Sequence, residues 1–487
     1  MHQTGSASLP DSLERFSGVL TEEESQEILD LLEQPLPIGI RINPLKSEPK
    51  QAMQELANRY GWDNQLLTFC ENGWLIQNPE KSPGITIEHR MGQYYLQDPA
   101  SMVPVSLFSI DRPPLLILDM AASPGGKTTH LIDRTCDRGF ILANDASQSR
   151  IGPLRAVLSN WGGINQAIIN FPGENFGAWY PETFDRVLLD APCSMENLRP
   201  TYDQPMRETT GDERLRLQER QTQLLKSGLQ ALKTGGQLVY ATCSLAPEED
   251  EAVIDALLHQ FPDAFQIEDV RDKIGFDAWG LTLFQGKSYH PSLSKALRLW
   301  PHRTSFSGFF CCLLTKTQSI PTDNVAPPER DFARTNLEPL QSDQRRYLNQ
   351  QLIDQFGFDL ETIFDSYTVL PYQRFEQFFL IPEQYLDHFS TLPFVTIGMP
   401  LGSWHGDLFE PSHTFISRFG HQFTRGTITL EDDKVQQWIT GRDIRHPETY
   451  LTPKGQYLLV KDKDNRNLGL GKLLQKRLRN LLPRTLI

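Results

Sequence analysis

The sequence predicts an α/β protein built around a doubly wound parallel sheet, with a smaller α+β unit before it and another α+β unit after it. Three observations carry this. From about residue 101, apolar runs recur in the order strand, turn, helix. The strands are apolar along their whole length, as in a sheet covered on both faces. And 487 residues exceed what one core can hold, so usual domain sizes give about three units.

In chain order, Thr21 and Glu24 form a capping-box pattern that opens the helix EEESQEILDLLEQ, which Pro35 and Pro37 end. The strand IGIRINPL, the helical QAMQELANRYG and a strand at WLIQN complete an α+β unit over residues 1–100. Residues 101–316 then alternate: PLLILDM, GKTTHLIDRT, FILAND, SRIGPLRAVLSNWG, AIINF and RVLLDAP. A helix over 213–232 follows, with Leu217, Leu224, Leu225 and Leu232 on one face, then GG and the strand QLVYATCS. A helix beginning at Pro247 carries Glu248, Glu249 and Asp250 in its first turn, as complements to the helix dipole, and the strand FFCCLL completes the unit. The polar, proline-bearing stretch 317–340 reads as a linker, and 341–487 as a further domain.

A net charge of −14 and a pI near 5.3 argue against broad, sequence-independent binding to nucleic acid. A polyanionic partner must meet a local basic patch. From Lys461 onward there are eight Lys/Arg against two Asp, a net +6, which is either a solvated helix face or such a patch. No run of 18 apolar residues occurs, and MHQTGSASLPDSLERF has neither a basic start nor an apolar signal region, so a cytoplasmic protein without membrane contact is expected. The six cysteines form no CxxC pair and have no histidine at zinc spacing, which predicts no disulfide framework and no metal site. Cys70, Cys136, Cys311 and Cys312 read as small buried hydrophobes. Without a coiled-coil pattern, a monomer is expected.

In LLILDMAASPGGKTTHL a strand runs into a glycine-bearing turn and then a helix, so the backbone from Ala121 through Ala122, Ser123, Pro124, Gly125 and Gly126 to Lys127 can approach a nucleotide-like ligand. Asp145 ends the strand FILAND, from where a carboxylate reaches both hydroxyls of a ribose. Together they predict an adenosyl ligand. AASPGGKT imitates a phosphate-binding P-loop, and VLLDAP a magnesium-binding strand. However, Ala121 stands where the first P-loop glycine belongs, Pro124 removes an amide, and an NTPase leaves two cysteines without a role. Those cysteines are Cys193 in DAPCS and Cys243 in ATCS. Each lies just past a strand, and in the common strand order the two strands are neighbours, so both thiols face one crevice beside the adenosyl site.

AASPGGKT, DAPCS and ATCS, in this order after RINPLK and YLQDPAS, resemble the Sun-family (Fmu-like, NOL/NOP/Sun) RNA cytosine carbon-5 methyltransferases, from about residue 10 to 316. IGMPLGSWHGDLFEPSH and LGLGKLLQKRLRNLLPR are similar to the PUA-like C-terminal region of the bacterial branch that methylates small-subunit ribosomal RNA. The resemblance implies a Rossmann-like core using S-adenosylmethionine, an N-terminal RNA-binding domain over 1–100, a PUA-like RNA-binding region over 341–487, and an RNA substrate: 16S ribosomal RNA, with transfer RNA as the alternative. It implies that Cys243 attacks carbon 6 of cytosine so that carbon 5 takes the methyl group, and that Cys193 helps release the product. Asp190 and Lys127 then lie between cofactor and base, while Ala121 to Lys127, Asp145 and Asp190 hold the cofactor. An unstacked base is required, which fits looped or single-stranded RNA.

Three departures from the family pattern stand out. Met195, Glu196 and Asn197 follow DAPCS where the family has glycine on both sides of a small or acidic residue. Pro172 replaces an aspartate thought to hold the adenine amino group. Ser123 replaces alanine or valine. The first two motivate a competing reading, a non-catalytic RNA-binding ribosome assembly factor.

Overall fold

The computed structural model describes residues 11–32, 34–77, 79–110, 114–198, 209–275, 277–445 and 455–486. The first ten residues of the N-terminal stretch read for a leader lie outside them. Among the described residues no helix is long and apolar enough to cross a membrane.

The capping box forms: Glu24 N donates to Thr21 Oγ1 at 3.1 Å and Thr21 N to Glu24 Oε2 at 2.9 Å, opening the helix Glu22–Leu32. Next comes an antiparallel sheet in which Ile38–Ile42 lies between Gly73–Gln77 and Tyr94–Leu96, with Asp63–Leu66 at the edge. Helix Pro49–Tyr60 covers it, burying Met53 and Leu56 against Ile40, Ile42, Trp62 and Trp74.

RINPLK explains how this unit meets the next. Arg41 is fully buried and bonds Asp133, Gly126 O (2.9 Å), Thr129 Oγ1 (2.5 Å) and Gln97 Oε1 (3.1 Å), while stacking 4.8 Å from the Trp161 ring centroid. Lys46 Nζ donates to Met91 O at 2.8 Å, Asn160 O at 2.6 Å and Ser417 Oγ at 2.6 Å, tying three segments of the chain together. Buried polar side chains with full sets of hydrogen-bond partners tolerate little relative motion.

The central sheet follows the predicted alternation: β1 (Leu116–Asp119), α1 (Gly126–Arg134), β2 (Phe140–Asn144), α2 (Gln148–Trp161), β3 (Gln166–Ile169), β4 (Phe184–Asp190), α3 (Gly211–Ala231), β5 (Leu232–Thr242), α4 (Glu251–Gln260), β6 (Phe265–Ile267), β7 (Leu297–Leu299) and β8 (Phe309–Lys316). Its order is β6-β8-β5-β4-β1-β2-β3, with β7 beside β8, and β1 to β5 are parallel. Leu116 and Leu118 face one core and Ile117 the other, so the strand is apolar at every position. A strand from far along the chain, β9 (Thr396–Ile397), pairs with β3 and extends the sheet.

Beyond residue 316 the structure revises several expectations. The stretch 317–340 carries a 3₁₀ turn, Phe332–Thr335, and the strand Glu338–Pro339, which pairs with Val369–Arg374. It is therefore part of a folded unit rather than a bare tether. Two five-stranded sheets follow, one over 338–411 and one over 427–480. Instead of a solvated helix face, the described part of the basic tail forms strands Tyr457–Asp462, Asn467–Leu474 and Arg477–Asn480 and a 3₁₀ turn, Arg484–Leu486. Several of its cations are neutralised internally, Arg466 by Asp462 and Glu88, Lys463 by Glu431, and Arg477 by Asp443. Cys136 is exposed at φ 51°, not buried; Cys70, Cys311 and Cys312 are buried.

Candidate active site

β4 and β5 run side by side and parallel, with Asp190 opposite Ala241, so the chain leaves both strands at the same edge. The last ladder bond there is Ala191 N to Ala241 O at 2.8 Å. Three residues past Asp190 and two past Ala241, the Cys193 and Cys243 sulfurs lie 3.2 Å apart. Both cysteines are free and partly buried. The hydrogen bond with Cys243, followed by burial, holds the Cys193 thiol well above the ordinary cysteine value.

Lys127, in the first turn of α1, crosses to β4: its Nζ donates to Asp190 Oδ2 at 2.8 Å and to Ser101 Oγ at 2.8 Å. Burial disfavours the ammonium, but the charge and hydrogen bond of Asp190, with Cys243 nearby, outweigh it and raise Lys127 above the usual lysine value. The lysine thus stays charged beside the sulfurs.

The acids after Cys243 overturn the reading of them as dipole complements. The helix begins at Glu251, not Pro247, and Glu249, Asp250 and Glu251 are fully buried. Only Glu248 is partly exposed, paired to Arg15 at 2.6 Å. Asp250 accepts from Thr242 Oγ1 at 2.6 Å and pairs with Arg298 at 3.2 Å. Arg298 also donates Nε to Glu251 Oε1 at 3.1 Å and Nη1 to Leu245 O at 2.7 Å. Glu249 collects donors from both cysteine loops. A signal was present in the sequence: Ala246, directly before Pro247, is a poor N-cap, so a helix starting at Pro247 would open uncapped.

The cofactor side lies at the ends of β1 and β2. A cavity of about 220 Å³ is lined by Met120, Ala121, Asp145, Arg150, Pro192 and Leu224, among others. Asp145 Oδ2 accepts Ser123 N at 3.2 Å and Oδ1 accepts Ser147 N at 2.9 Å, which anchors the carboxylate. Asn144, buried at the end of β2, donates to Met120 O at 3.0 Å and to Phe171 O at 2.9 Å, binding the two neighbouring turns together. Gly125 has φ 115°, a conformation that favours glycine, where the turn enters α1. Asp119, at the end of β1, is wholly buried; its Oδ2 accepts from Thr128 at 2.6 Å, while Oδ1 has no hydrogen bond among the described residues. Burial, partly offset by Thr128, raises its carboxyl to about 7. An anchored carboxylate at a strand end, a glycine turn and an apolar wall fit an adenosyl group, and the orphaned acceptor of Asp119 is a further polar group in want of a donor.

The departures resolve individually. Met195 stands at φ 64° and is 48% exposed, so its backbone takes a glycine conformation while its side chain is half in solvent. Glu196 is buried in a two-bond pair with Arg214, at 2.8 and 2.6 Å. Gly308 N donates to Asn197 O at 2.8 Å, and a Cβ on Gly308 would meet that oxygen at 2.4 Å. Pro172 precedes Gly173, one of the cavity residues, and brings no carboxylate. Ser123 Oγ donates to Arg150 O at 3.0 Å.

The chain is similar along its length to known proteins. Residues 111–315 match the model for 16S rRNA methyltransferase RsmB/F, residues 9–99 that for the N-terminal domain of 16S rRNA methyltransferase RsmF, and residues 425–487 that for the methyltransferase RsmF PUA domain. Ribosomal RNA small subunit methyltransferase F of Pectobacterium atrosepticum is 32% identical over 99% of this chain and 96% of its own. The protein of the same name from Vibrio parahaemolyticus is 31% identical over 98% of each. Among solved structures, a methyltransferase homolog protein from Pyrococcus horikoshii is 29% identical with a TM-score of 0.54, covering 63% of this chain and 99% of its own. NSun6 from Pyrococcus horikoshii, 19% identical with a TM-score of 0.53 over 64% of this chain and 99% of its own, shares the fold.

Proposed function

The chain belongs to the ribosomal RNA small subunit methyltransferase F family, and from that premise we propose that it methylates carbon 5 of a cytosine in 16S ribosomal RNA through a covalent adduct between Cys243 and carbon 6. The observation that carries this reading is the pair of sulfurs 3.2 Å apart at neighbouring strand ends, beside the Lys127–Asp190 ion pair.

S-adenosylmethionine would be held by Asp145 and the Ala121–Gly126 backbone and would supply an electrophilic methyl group. Cytosine carbon 5 is a weak nucleophile, so the work of the chain's residues is to enrich it. The Cys243 sulfur bonds to carbon 6, and the electrons of the carbon 5–carbon 6 double bond move into the ring. Lys127 stabilises the thiolate before attack. As charge develops at ring nitrogen 3, a proton from solvent is passed to it by way of the Asp190 carboxylate, which Lys127 fixes through Oδ2. While both sulfurs compete for one proton, Cys193 keeps it. Once the Cys243 sulfur is bonded to carbon 6 and carbon 5 has taken the methyl group, that competition ends, and Cys193 gives its proton to solvent and acts as a thiolate base. It takes the proton from methylated carbon 5, the double bond re-forms, the Cys243 sulfur leaves as thiolate, and ring nitrogen 3 returns its proton to solvent.

The purified protein, labelled cofactor and undermethylated 16S ribosomal RNA should give label in 5-methylcytosine. Cys243→Ala should abolish transfer and Cys193→Ala should accumulate a protein–RNA adduct. Bisulfite sequencing of RNA from cells with and without the gene identifies the cytosine and separates ribosomal from transfer RNA. Transfer that survives Cys243→Ala rejects the mechanism.

A further inference from the structure

Past the ends of β4 and β5 the two cysteine loops are joined by a backbone bond from Leu245 N to Glu196 O at 2.9 Å and by the Ser194 and Ser244 hydroxyls at 3.2 Å, and their sulfurs touch. Beside the sulfurs, one carboxylate also reaches both loops. Glu249 is fully buried, and four donors reach it: Ser194 N at 2.9 Å and Gln221 Nε2 at 3.0 Å on Oε2, Ser244 Oγ at 3.0 Å and Ser194 Oγ on Oε1. Ser194 directly follows Cys193, and Ser244 directly follows Cys243. From this we infer that Glu249 is a positioning residue that sets the separation of the two sulfurs; the inference rests on reading Cys193 and Cys243 as the reacting thiols.

A carboxylate offers about four acceptor sites, and here all are taken by neutral donors of the protein. Glu249 therefore has no capacity left for substrate and is not an acid or base of the reaction. Charge on the acceptor strengthens each bond relative to a neutral one. The residue is itself anchored: the Tyr240 hydroxyl donates to Glu249 O at 2.5 Å, and Glu249 N donates to Ala246 O at 2.9 Å. Gln221 also donates to Pro192 O at 2.9 Å, so α3 braces the loop from its other side. The chemistry makes the spacing matter, because the two sulfurs must act on two bonded ring atoms, carbon 6 and carbon 5.

The test reads the sulfur separation directly. In the wild-type chain, 2,2′-dithiodipyridine should close a Cys193–Cys243 disulfide: each bridge consumes one reagent molecule and two thiols and releases two pyridine-2-thiones, and the bridged peptide is identified by mass spectrometry. Glu249→Gln keeps the shape but turns a donor toward donors. It should slow ring closure after the first thione by about tenfold, and lower kcat by about 10²-fold with the KM for RNA within about twofold, as an ångström-scale misplacement does. Glu249→Ala should do more. Unfolding midpoints show which variants fold. If both unfold, Ser244→Ala, which removes one donor of four, must slow closure in their place. A folded Glu249→Gln protein that closes the bridge and turns over like wild type overturns the inference. If closure depends on Glu249 but no variant, wild type included, methylates cytosine, the functional reading fails while the positioning role stands.

Discussion

Arg298→Met tests whether the acids after Cys243 are an interior charge cluster. Arg298 is wholly buried; its guanidinium faces Asp250 Oδ2 at 3.2 Å, both oxygens of Glu251, one of them at 3.1 Å, and Leu245 O at 2.7 Å. Methionine keeps an unbranched, similar-length apolar chain but leaves two buried carboxylates and a carbonyl without their cation. Breaking a buried pair from one side costs about 3–5 kcal/mol, more than the pair's net worth, because the remaining charges are uncompensated. For a unit of the size of residues 111–315, that corresponds to a fall in melting temperature of roughly 6–20 °C. The pH dependence follows from Asp250, whose carboxyl burial raises well above the ordinary range, with Arg298 opposing. A raised folded value means the folded chain binds the proton more tightly, so the associated stability is present at low pH and is lost as pH rises through that value. Without Arg298 the folded value rises further. The deficit of the variant should therefore widen as pH rises through the wild-type folded value of Asp250 toward the higher value of the variant, read by calorimetry or circular dichroism. A shift below about 2 °C, or a deficit that is flat with pH, would refute the buried-cluster account.

Asp145→Ala removes the strand-end carboxylate and should weaken S-adenosylmethionine binding by about 1.5–3 kcal/mol in calorimetry; unchanged affinity excludes it as the ribose ligand. Lys127→Met should cut methyl transfer by about 10²-fold while cofactor affinity holds within about threefold, since the lost charge faces Cys243 and Asp190; near-normal single-turnover rates would count against its role. Met195→Gly relieves a left-handed backbone at φ 64°, so stability should rise by up to about 1 kcal/mol. Because the Met195 side chain is 48% exposed, turnover should stay within about twofold, and a large gain would mean that methionine obstructs the base.

Much of the fold was legible because its signals are local. The apolar runs of β1 to β5, the capping box at Thr21 and Glu24 and the glycine turn into α1 are all set within a few residues. Parallel topology then follows from the alternation itself, and with it the adjacency of the strands carrying Cys193 and Cys243. Charge patterning misled where burial reversed its meaning. EEDE after Cys243 has the composition of a helix start, and the basic tail that of a solvated face, because composition cannot report what a side chain will be packed against.

The sequence by itself determined the doubly wound core, the order of its motifs and the identity of two strand-end thiols. The tertiary structure alone decided that those thiols touch, that Glu249 joins their loops, that Arg298 neutralises Asp250 and Glu251, and that Arg41 and Lys46 lock the first unit to the rest. The physical reason is range. Periodicity and turn chemistry act between near neighbours, whereas a buried polar group is stable only against partners tens to hundreds of residues away, such as Lys46 and Ser417 at a separation of 371.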